Sequence, residues 1–155
     1  MKKLIPILLL LPALWGCRAA TTVADITYVD REGARHGICS RTTPLTLVYL
    51  NDIDCDECHA VGDSLRRSTE IARAVSDGRL RVLSVYVGDQ EDRWAAMDPT
   101  EGWVECIDTD FASMATTTYQ FESLPALFIV DSHSRMRQQN ISAKDAINFI
   151  ATHSK

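Results

Sequence analysis

The apolar positions of this chain follow two patterns, and each pattern predicts one kind of secondary structure. Residues 44–50, 80–87 and 127–130 are nearly continuous runs of apolar, β-branched and aromatic side chains. Such runs are typical of strands that are covered on both faces of a sheet. Between the first two runs, apolar side chains recur at helical spacing over residues 58–75, which predicts one helix that ends before Asp77-Gly78.

Shorter elements are predicted around these segments, and together they define a fold class. The elements are a hairpin of residues 26–29 and 37–40 with its turn at 30–33, a helical turn at 93–97, a strand at 103–107, a helix from the cap at 108–110 to about Tyr119, a strand at 136–139, and a final helix capped by Ser142. This order predicts an α/β fold with a mixed central sheet flanked by helices and an N-terminal β-hairpin extension.

The first residues carry the pattern of an export signal. Two lysines precede an apolar run at 4–14, which two prolines interrupt and which ends shortly before Cys17. The run is short for a bilayer-spanning helix, so we interpret residues 1–16 as a signal peptide. Leu14-Trp15-Gly16-Cys17 resembles the lipobox of bacterial lipoproteins, and the resemblance implies that Cys17 is lipidated. The alternative is a soluble exported protein in which Cys17 is incidental.

Composition and charge limit the remaining possibilities. The chain has 155 residues, of which 46% are apolar and 24% charged, as expected for one globular domain. We assign residues 17–24 to a tether and residues 25–155 to that domain. Removing residues 1–16 takes away two lysines and no acid, so the formal net charge falls from -5 to -7. An acidic chain without a basic stripe argues against nucleic acid as a partner.

Residues 55–59 read CDECH, a spacing that three kinds of chemistry share. It occurs in c-type haem attachment, in metal sites and in redox dithiols. Haem attachment would use His59 as the iron ligand, but strands covered on both faces suit a packed sheet better than a helical haem pocket. A zinc site would need Cys55, Cys58, His59 and Cys106, and no second paired-ligand motif supports it. We therefore favour a redox dithiol and expect no metal or other cofactor.

The motif lies where a buried strand passes into a helix, and this position favours thiol chemistry. A helix N-terminus stabilises a thiolate, so Cys55 is the expected nucleophile and Cys58 the resolving thiol. Acids crowd the same place, at Asp52, Asp54, Asp56 and Glu57. Nearby negative charge disfavours a thiolate and so favours the disulfide form, which predicts a reducing rather than an oxidising dithiol. The alternative is that these acids merely cap the helix. His59 either hydrogen-bonds near Cys58 or is a polar surface residue.

A second motif lies far from the first. Residues 119–131, YQFESLPALFIVD, resemble the segment of thioredoxin-like proteins in which a cis-proline precedes a central strand. The resemblance covers most of residues 26–153 and is closest to the TlpA-type thiol-disulfide oxidoreductases. It implies a thioredoxin-like fold, a cis bond at Leu124-Pro125, and a substrate groove formed beside those two residues. Asp54 departs from the family, which commonly has tryptophan before the first cysteine.

These observations lead to one expectation and its rivals. We expect an enzyme of the bacterial cell envelope that is lipid-anchored and exchanges disulfides with exported proteins, as a reductase or isomerase served by an envelope electron donor. Arg18, after Cys17, favours the outer membrane, facing the periplasm. The alternative is a non-catalytic binding module with a structural disulfide. A peroxidase is less favoured, because Asp52 replaces the threonine of the usual Thr-X-X-Cys site.

Two further cysteines, Cys39 and Cys106, fall on predicted strands. Export would allow them to form a second disulfide. Cysteine is also among the residues most often buried as a free thiol, and we favour that interpretation. Trp94 and Trp103 flank a loop-rich segment and are expected either to border the site or to pack in the core.

Overall fold

The computed structural model describes residues 23, 26–116 and 119–153, which form a seven-stranded mixed sheet with helices packed against it. The elements in chain order are β1 Thr27–Asp30, β2 Arg35–Gly37, β3 Leu45–Asn51, α1 Asp56–Arg66, α2 Thr69–Ser76, β4 Leu80–Val87, α3 Glu91–Ala95, β5 Val104–Asp108, α4 Ala112–Ala115, β6 Ala126–Asp131, β7 Met136–Gln139 and α5 Ala143–His153. The strands lie in the order β2-β1-β5-β4-β3-β6-β7. The mixed sheet and its helices confirm the predicted α/β class.

The direction of each strand determines which loops meet at one edge of the sheet. Strand β3 runs parallel to β4, β4 runs parallel to β5, and the other neighbouring pairs are antiparallel. Because β6 runs antiparallel to β3 with Ala126 opposite Leu50, the residues just before β6 lie beside those just after β3. The loop before α1 and the segment before β6 therefore meet at one edge.

Alternating side chains of the central strands build a core on each face of the sheet. On β3, Leu47 and Tyr49 face the helices and pack in one cluster with Leu65 of α1 and Ile150 of α5. The intervening Val48 and Leu50 face the opposite cluster. This two-sided burial is the reason that β3, β4 and β6 appear in the sequence as apolar runs rather than as alternating patterns.

The predicted helix over residues 58–75 is wrong in one respect, because the structure divides it into α1 and α2. Arg67 ends the first helix, and Ser68 caps the second, its Oγ accepting a hydrogen bond from the Ile71 N–H at 3.2 Å. In a continuous helix this N–H would donate to a carbonyl of the preceding turn, and at a helix start the serine side chain accepts it instead. The break lets α2 turn its own apolar side, with Ile71 and Ala74, onto the sheet.

Other predicted boundaries also change. The helical turn expected at 93–97 is α3, Glu91–Ala95. The second strand of the hairpin is Arg35–Gly37 rather than residues 37–40. The helix predicted from 108–110 to about Tyr119 is only Ala112–Ala115, and residues 117 and 118 lie outside the described part. The N-cap residue is Phe111, which makes no side-chain capping bond, while the Asp108 carboxylate accepts the first-turn N–H groups of Ala112 at 2.9 Å and Ser113 at 2.8 Å.

The N-terminal predictions fall mostly outside the described residues. The signal peptide at 1–16, Cys17 and all of the tether except Val23 are among them. Val23 is buried in the core, and its N–H donates to the Ser134 carbonyl at 2.8 Å, so packing begins before the predicted domain start at residue 25. Of the helices in the described part, none combines the length and apolar character that a bilayer crossing requires.

Candidate active site

Cys55 and Cys58 form a disulfide at the start of α1, with their Cα atoms 5.2 Å apart. Cys55 is the N-cap residue and is half-buried, whereas the side chain of Cys58 on the first turn is only 1% exposed. One sulfur of the pair can therefore meet a large partner, and the other is shielded beneath it.

The loop after β3 holds Cys55 in its capping position. Its backbone is extended, with φ -101° and ψ 108°, and its sulfur accepts a hydrogen bond from the Cys58 N–H at 3.0 Å. The preceding turn is closed by the Asp52 carboxylate, which accepts the Asp54 N–H at 2.9 Å. A backbone N–H aimed at the sulfur is the interaction by which a helix N-terminus stabilises a thiolate.

The four acids around the dithiol are not equivalent. Asp56 and Glu57 lie exposed on the first turn of α1. Asp54 instead forms an ion pair with Arg93 of α3, with Nη2 2.8 Å from Oδ1. The hydrogen bonds from Arg93 hold the pKa of the Asp54 carboxyl below its usual value. The sequence placed Asp54 among the acids beside the dithiol, and in the structure its charge is paired with that of Arg93.

His59 has a structural contact rather than one with sulfur. Its ring lies at the surface, and Nε2 hydrogen-bonds to the Ile53 carbonyl at 2.8 Å. This bond ties the first turn of α1 to the loop before it. Of the two interpretations of His59, the structure supports that of a polar surface residue.

A small polar cavity of about 70 Å³ lies behind Cys58 and was not anticipated from the sequence. Tyr49 lines it and donates its hydroxyl to the Cys58 carbonyl at 2.5 Å. Burial raises the pKa of Tyr49 to about 12, so the hydroxyl remains a donor at neutral pH. Glu105, paired with Arg31 at 2.9 Å, and Trp94 also line the cavity.

The second predicted motif lies at the same edge as the dithiol. The Leu124-Pro125 peptide bond is cis, and β6 begins directly after it. Pro125 lines an open groove of about 810 Å³ that extends to the start of α5. Leu124 packs instead against the core cluster that contains Phe128. The described groove therefore includes Pro125 on its wall, while Leu124 supports the segment from the core side.

Cys39 and Cys106 are free thiols, which confirms that they do not pair, but only Cys106 is buried as the favoured interpretation expected. Cys106 is 0% exposed, whereas Cys39 is half-buried. Burial raises the pKa of the Cys106 thiol to about 12, which makes it unreactive at neutral pH. Within residues 23, 26–116 and 119–153, no group of three or more His, Cys, Asp or Glu side chains is arranged to hold a metal ion.

The sheet order, the dithiol at the start of α1 and the cis-proline before β6 define a thioredoxin-like fold. Solved structures agree with this class. A thioredoxin-like protein from Bacteroides caccae superposes with a TM-score of 0.77 at 19% identity, over 88% of this chain and 50% of the other. This chain thus spans about half the length of that protein.

Two further solved structures have similar lengths to this chain. The thioredoxin domain of a thiol-disulfide oxidoreductase from Bacteroides vulgatus matches with a TM-score of 0.71 and 17% identity, over 88% of this chain and 99% of the other. The pneumococcal exposed lipoprotein thioredoxin from Streptococcus pneumoniae matches with a TM-score of 0.64 and 15% identity, over 82% and 98%. At these identities the likeness shows the fold alone. No protein-family model and no curated protein matches the chain significantly.

Proposed function

We propose that this protein is a thiol-disulfide oxidoreductase that acts through Cys55 and Cys58. The observation that carries this proposal is the disulfide itself, with a half-buried cysteine at the helix N-cap and an almost fully buried one on the first turn. A purely structural disulfide needs no such asymmetry. Exchange does need it, because only one sulfur must reach the substrate.

The reaction follows from these two positions. In the reduced protein, the Cys55 thiolate attacks one sulfur of a substrate disulfide, and the other substrate sulfur leaves as a thiolate. Cys58 then loses its proton and attacks the Cys55 sulfur, which releases the second substrate thiol and forms the Cys55–Cys58 disulfide. The substrate gains two electrons, and a separate dithiol donor must return two electrons to the protein.

Location and direction belong to the same proposal. The export signal and the lipobox-like segment at Cys17 support a lipid-anchored envelope protein of the TlpA type, in the outer membrane and facing the periplasm. A structural neighbour from Streptococcus pneumoniae is described as an exposed lipoprotein. The substrates are then exported proteins with disulfides. The exposed acids Asp56 and Glu57 disfavour the Cys55 thiolate, which supports a reductase or isomerase over an oxidant.

Trapping tests this proposal directly. The Cys58→Ser variant leaves Cys55 able to attack but removes the sulfur that resolves the mixed disulfide. We expect it to accumulate covalent complexes with exported proteins that a reducing agent releases, while wild type with an external thiol reduces insulin disulfides. Cys55→Ser is the matched control and should trap far less. If wild type and both variants are equally inactive and trap nothing, the protein is a binding module with a structural disulfide.

A further inference from the structure

A basic side chain of α3 meets the acid that directly precedes Cys55. The guanidinium of Arg93 approaches Asp54 with both ends, Nη2 lying 2.8 Å from Oδ1 and Nη1 3.0 Å from Oδ2. Gln90 donates to the same carboxylate through Nε2 at 2.9 Å and accepts a hydrogen bond from Arg93. Arg93 therefore binds the Asp54 carboxylate in the bidentate geometry that arginine prefers, and Gln90 of the same segment adds a third hydrogen bond.

The helix that carries Arg93 is itself anchored. Trp94, the next residue, is 6% exposed and packs in a small cluster with Ile53, which directly precedes Asp54. Arg31 from the hairpin lies over the Trp94 ring, 4.8 Å from its centroid, and donates to two carbonyl oxygens at the end of this helix. The packing of Trp94 thus holds Arg93 close to Asp54, although Asp54 is exposed and Gln90 is only half-buried.

The electrostatic consequence concerns Cys55. The charged or titratable groups nearest to it along the chain are Asp52 and Asp54 on the loop and Asp56, Glu57 and His59 on α1, and Arg93 of α3 joins this group through its contact with Asp54. An unpaired carboxylate beside a thiol makes ionisation of that thiol harder. Pairing one of these acids with an arginine removes part of that penalty. The same contact holds the loop that places the Cys55 sulfur at the helix N-terminus.

We propose that Arg93 is a positioning residue that sets the reactivity of Cys55 by neutralising the charge of Asp54. Because it takes Cys55 to be the attacking thiol, this inference rests on the proposed function. Removing the charge of Arg93 leaves Asp54 as a free negative charge beside the nucleophile. Removing the charges of Arg93 and Asp54 together restores the net charge beside Cys55. This reciprocal behaviour separates neutralisation of Asp54 from a general effect on folding.

The test follows alkylation of Cys55 by iodoacetamide between pH 5 and 10, in a Cys58→Ser background so that Cys55 is the one dithiol sulfur that titrates. The labelled Cys55 peptide is identified by mass spectrometry, which separates it from Cys39. We expect Arg93→Gln to raise the apparent pKa of Cys55 by about half a unit, roughly a threefold loss of thiolate near neutral pH. Arg93→Lys should recover most of the difference. Adding Asp54→Asn to Arg93→Gln should return the profile to that of the parent.

Arg79→Gln is the matched control, because Arg79 pairs with Asp77 at 2.5 Å just before β4. Leu80 lies opposite Leu45, the first residue of β3, so Arg79 lies at the sheet edge opposite to Cys55. That variant removes the same charge and should leave the profile unchanged. A profile of Arg93→Gln that coincides with the parent overturns the inference, and so does a double variant that stays shifted. The readout needs no turnover, so it is independent of whether wild type reduces insulin.

Discussion

Replacing Tyr49 by phenylalanine removes one buried hydroxyl and tests how the sheet holds the dithiol helix. The hydroxyl lies on a side chain that is 4% exposed and donates to the carbonyl of the buried Cys58. Loss of a buried hydrogen bond that strands its partner costs about 1–3 kcal/mol, and the more apolar phenylalanine offsets a part. We expect a loss of about 1–2 kcal/mol in the free energy of unfolding. With a urea m value of about 1.5 kcal/mol/M, the midpoint should fall by roughly 1 M.

The assay is urea unfolding of the oxidised protein at 25 °C, with Tyr28→Phe as the control. Tyr28 is also buried, and its hydroxyl pairs with Ser113 at 2.7 Å away from the dithiol. Both variants should lose similar stability, but only Tyr49→Phe should change the rate at which Cys58 closes the disulfide. A midpoint for Tyr49→Phe within about 0.2 M of wild type would refute the reasoning.

The pH dependence of the same pair gives a second check. Burial raises the pKa of Tyr49 to about 12, above the ordinary value of 10.0 for tyrosine. A raised pKa in the folded state means that the stability contributed by the neutral hydroxyl is complete below pH 10 and is lost as the pH approaches 12. The stability difference between wild type and Tyr49→Phe should therefore shrink over that interval. A gap that stays constant would contradict the burial of the hydroxyl.

Two further predictions concern the cap of α2 and the free thiols. Ser68→Ala removes the side chain that accepts the Ile71 N–H. We expect the free energy of unfolding to fall by about 1 kcal/mol, which lowers the melting temperature by about 3–5 °C. Ser64→Ala, at an exposed position of α1, is the control and should be almost neutral. Equal melting temperatures for the two variants would argue against the cap. In the folded, oxidised protein at pH 8, iodoacetamide should label the half-buried Cys39 much faster than Cys106, because burial raises the pKa of the Cys106 thiol to about 12. Similar labelling rates for the two thiols in the folded protein would contradict the burial of Cys106.

The strands that carry the site could be predicted because burial on both faces leaves a direct trace in the sequence. Strands β3 and β4 were placed within a residue of their observed bounds for this reason. The division between α1 and α2 was missed, although a trace existed. The last buried position of α1 is Leu65 and the first of α2 is Ile71, a step of six residues that a helical repeat of about seven does not accommodate. Ser68 stands within that step as a capping residue.

The Cys55–Cys58 pair was also expected from its local spacing, and the cis bond at Leu124-Pro125 from the resemblance to thioredoxin-like proteins. The contacts that surround them were not. Arg93 and Asp54 are thirty-nine positions apart, and they meet because Trp94 of α3 packs in one cluster with Ile53. The cavity behind Cys58 likewise joins residues from the hairpin, from three strands and from α1. Such pairs leave no periodic signal, so they follow from the tertiary fold alone.

The pairing of Asp54 with Arg93 changes which charges influence the reduction potential of the Cys55–Cys58 pair. Asp56 and Glu57 lie exposed on the first turn of α1, where acids stabilise the helix as well as oppose a thiolate. Their effect on Cys55 passes through solvent and is screened over about 8 Å at physiological ionic strength. The Cys58 N–H, in contrast, contacts the Cys55 sulfur directly at 3.0 Å and is not screened in this way. Salt therefore weakens the influence of the acids more than that of the helix terminus, so the predicted reducing poise should be strongest at low ionic strength.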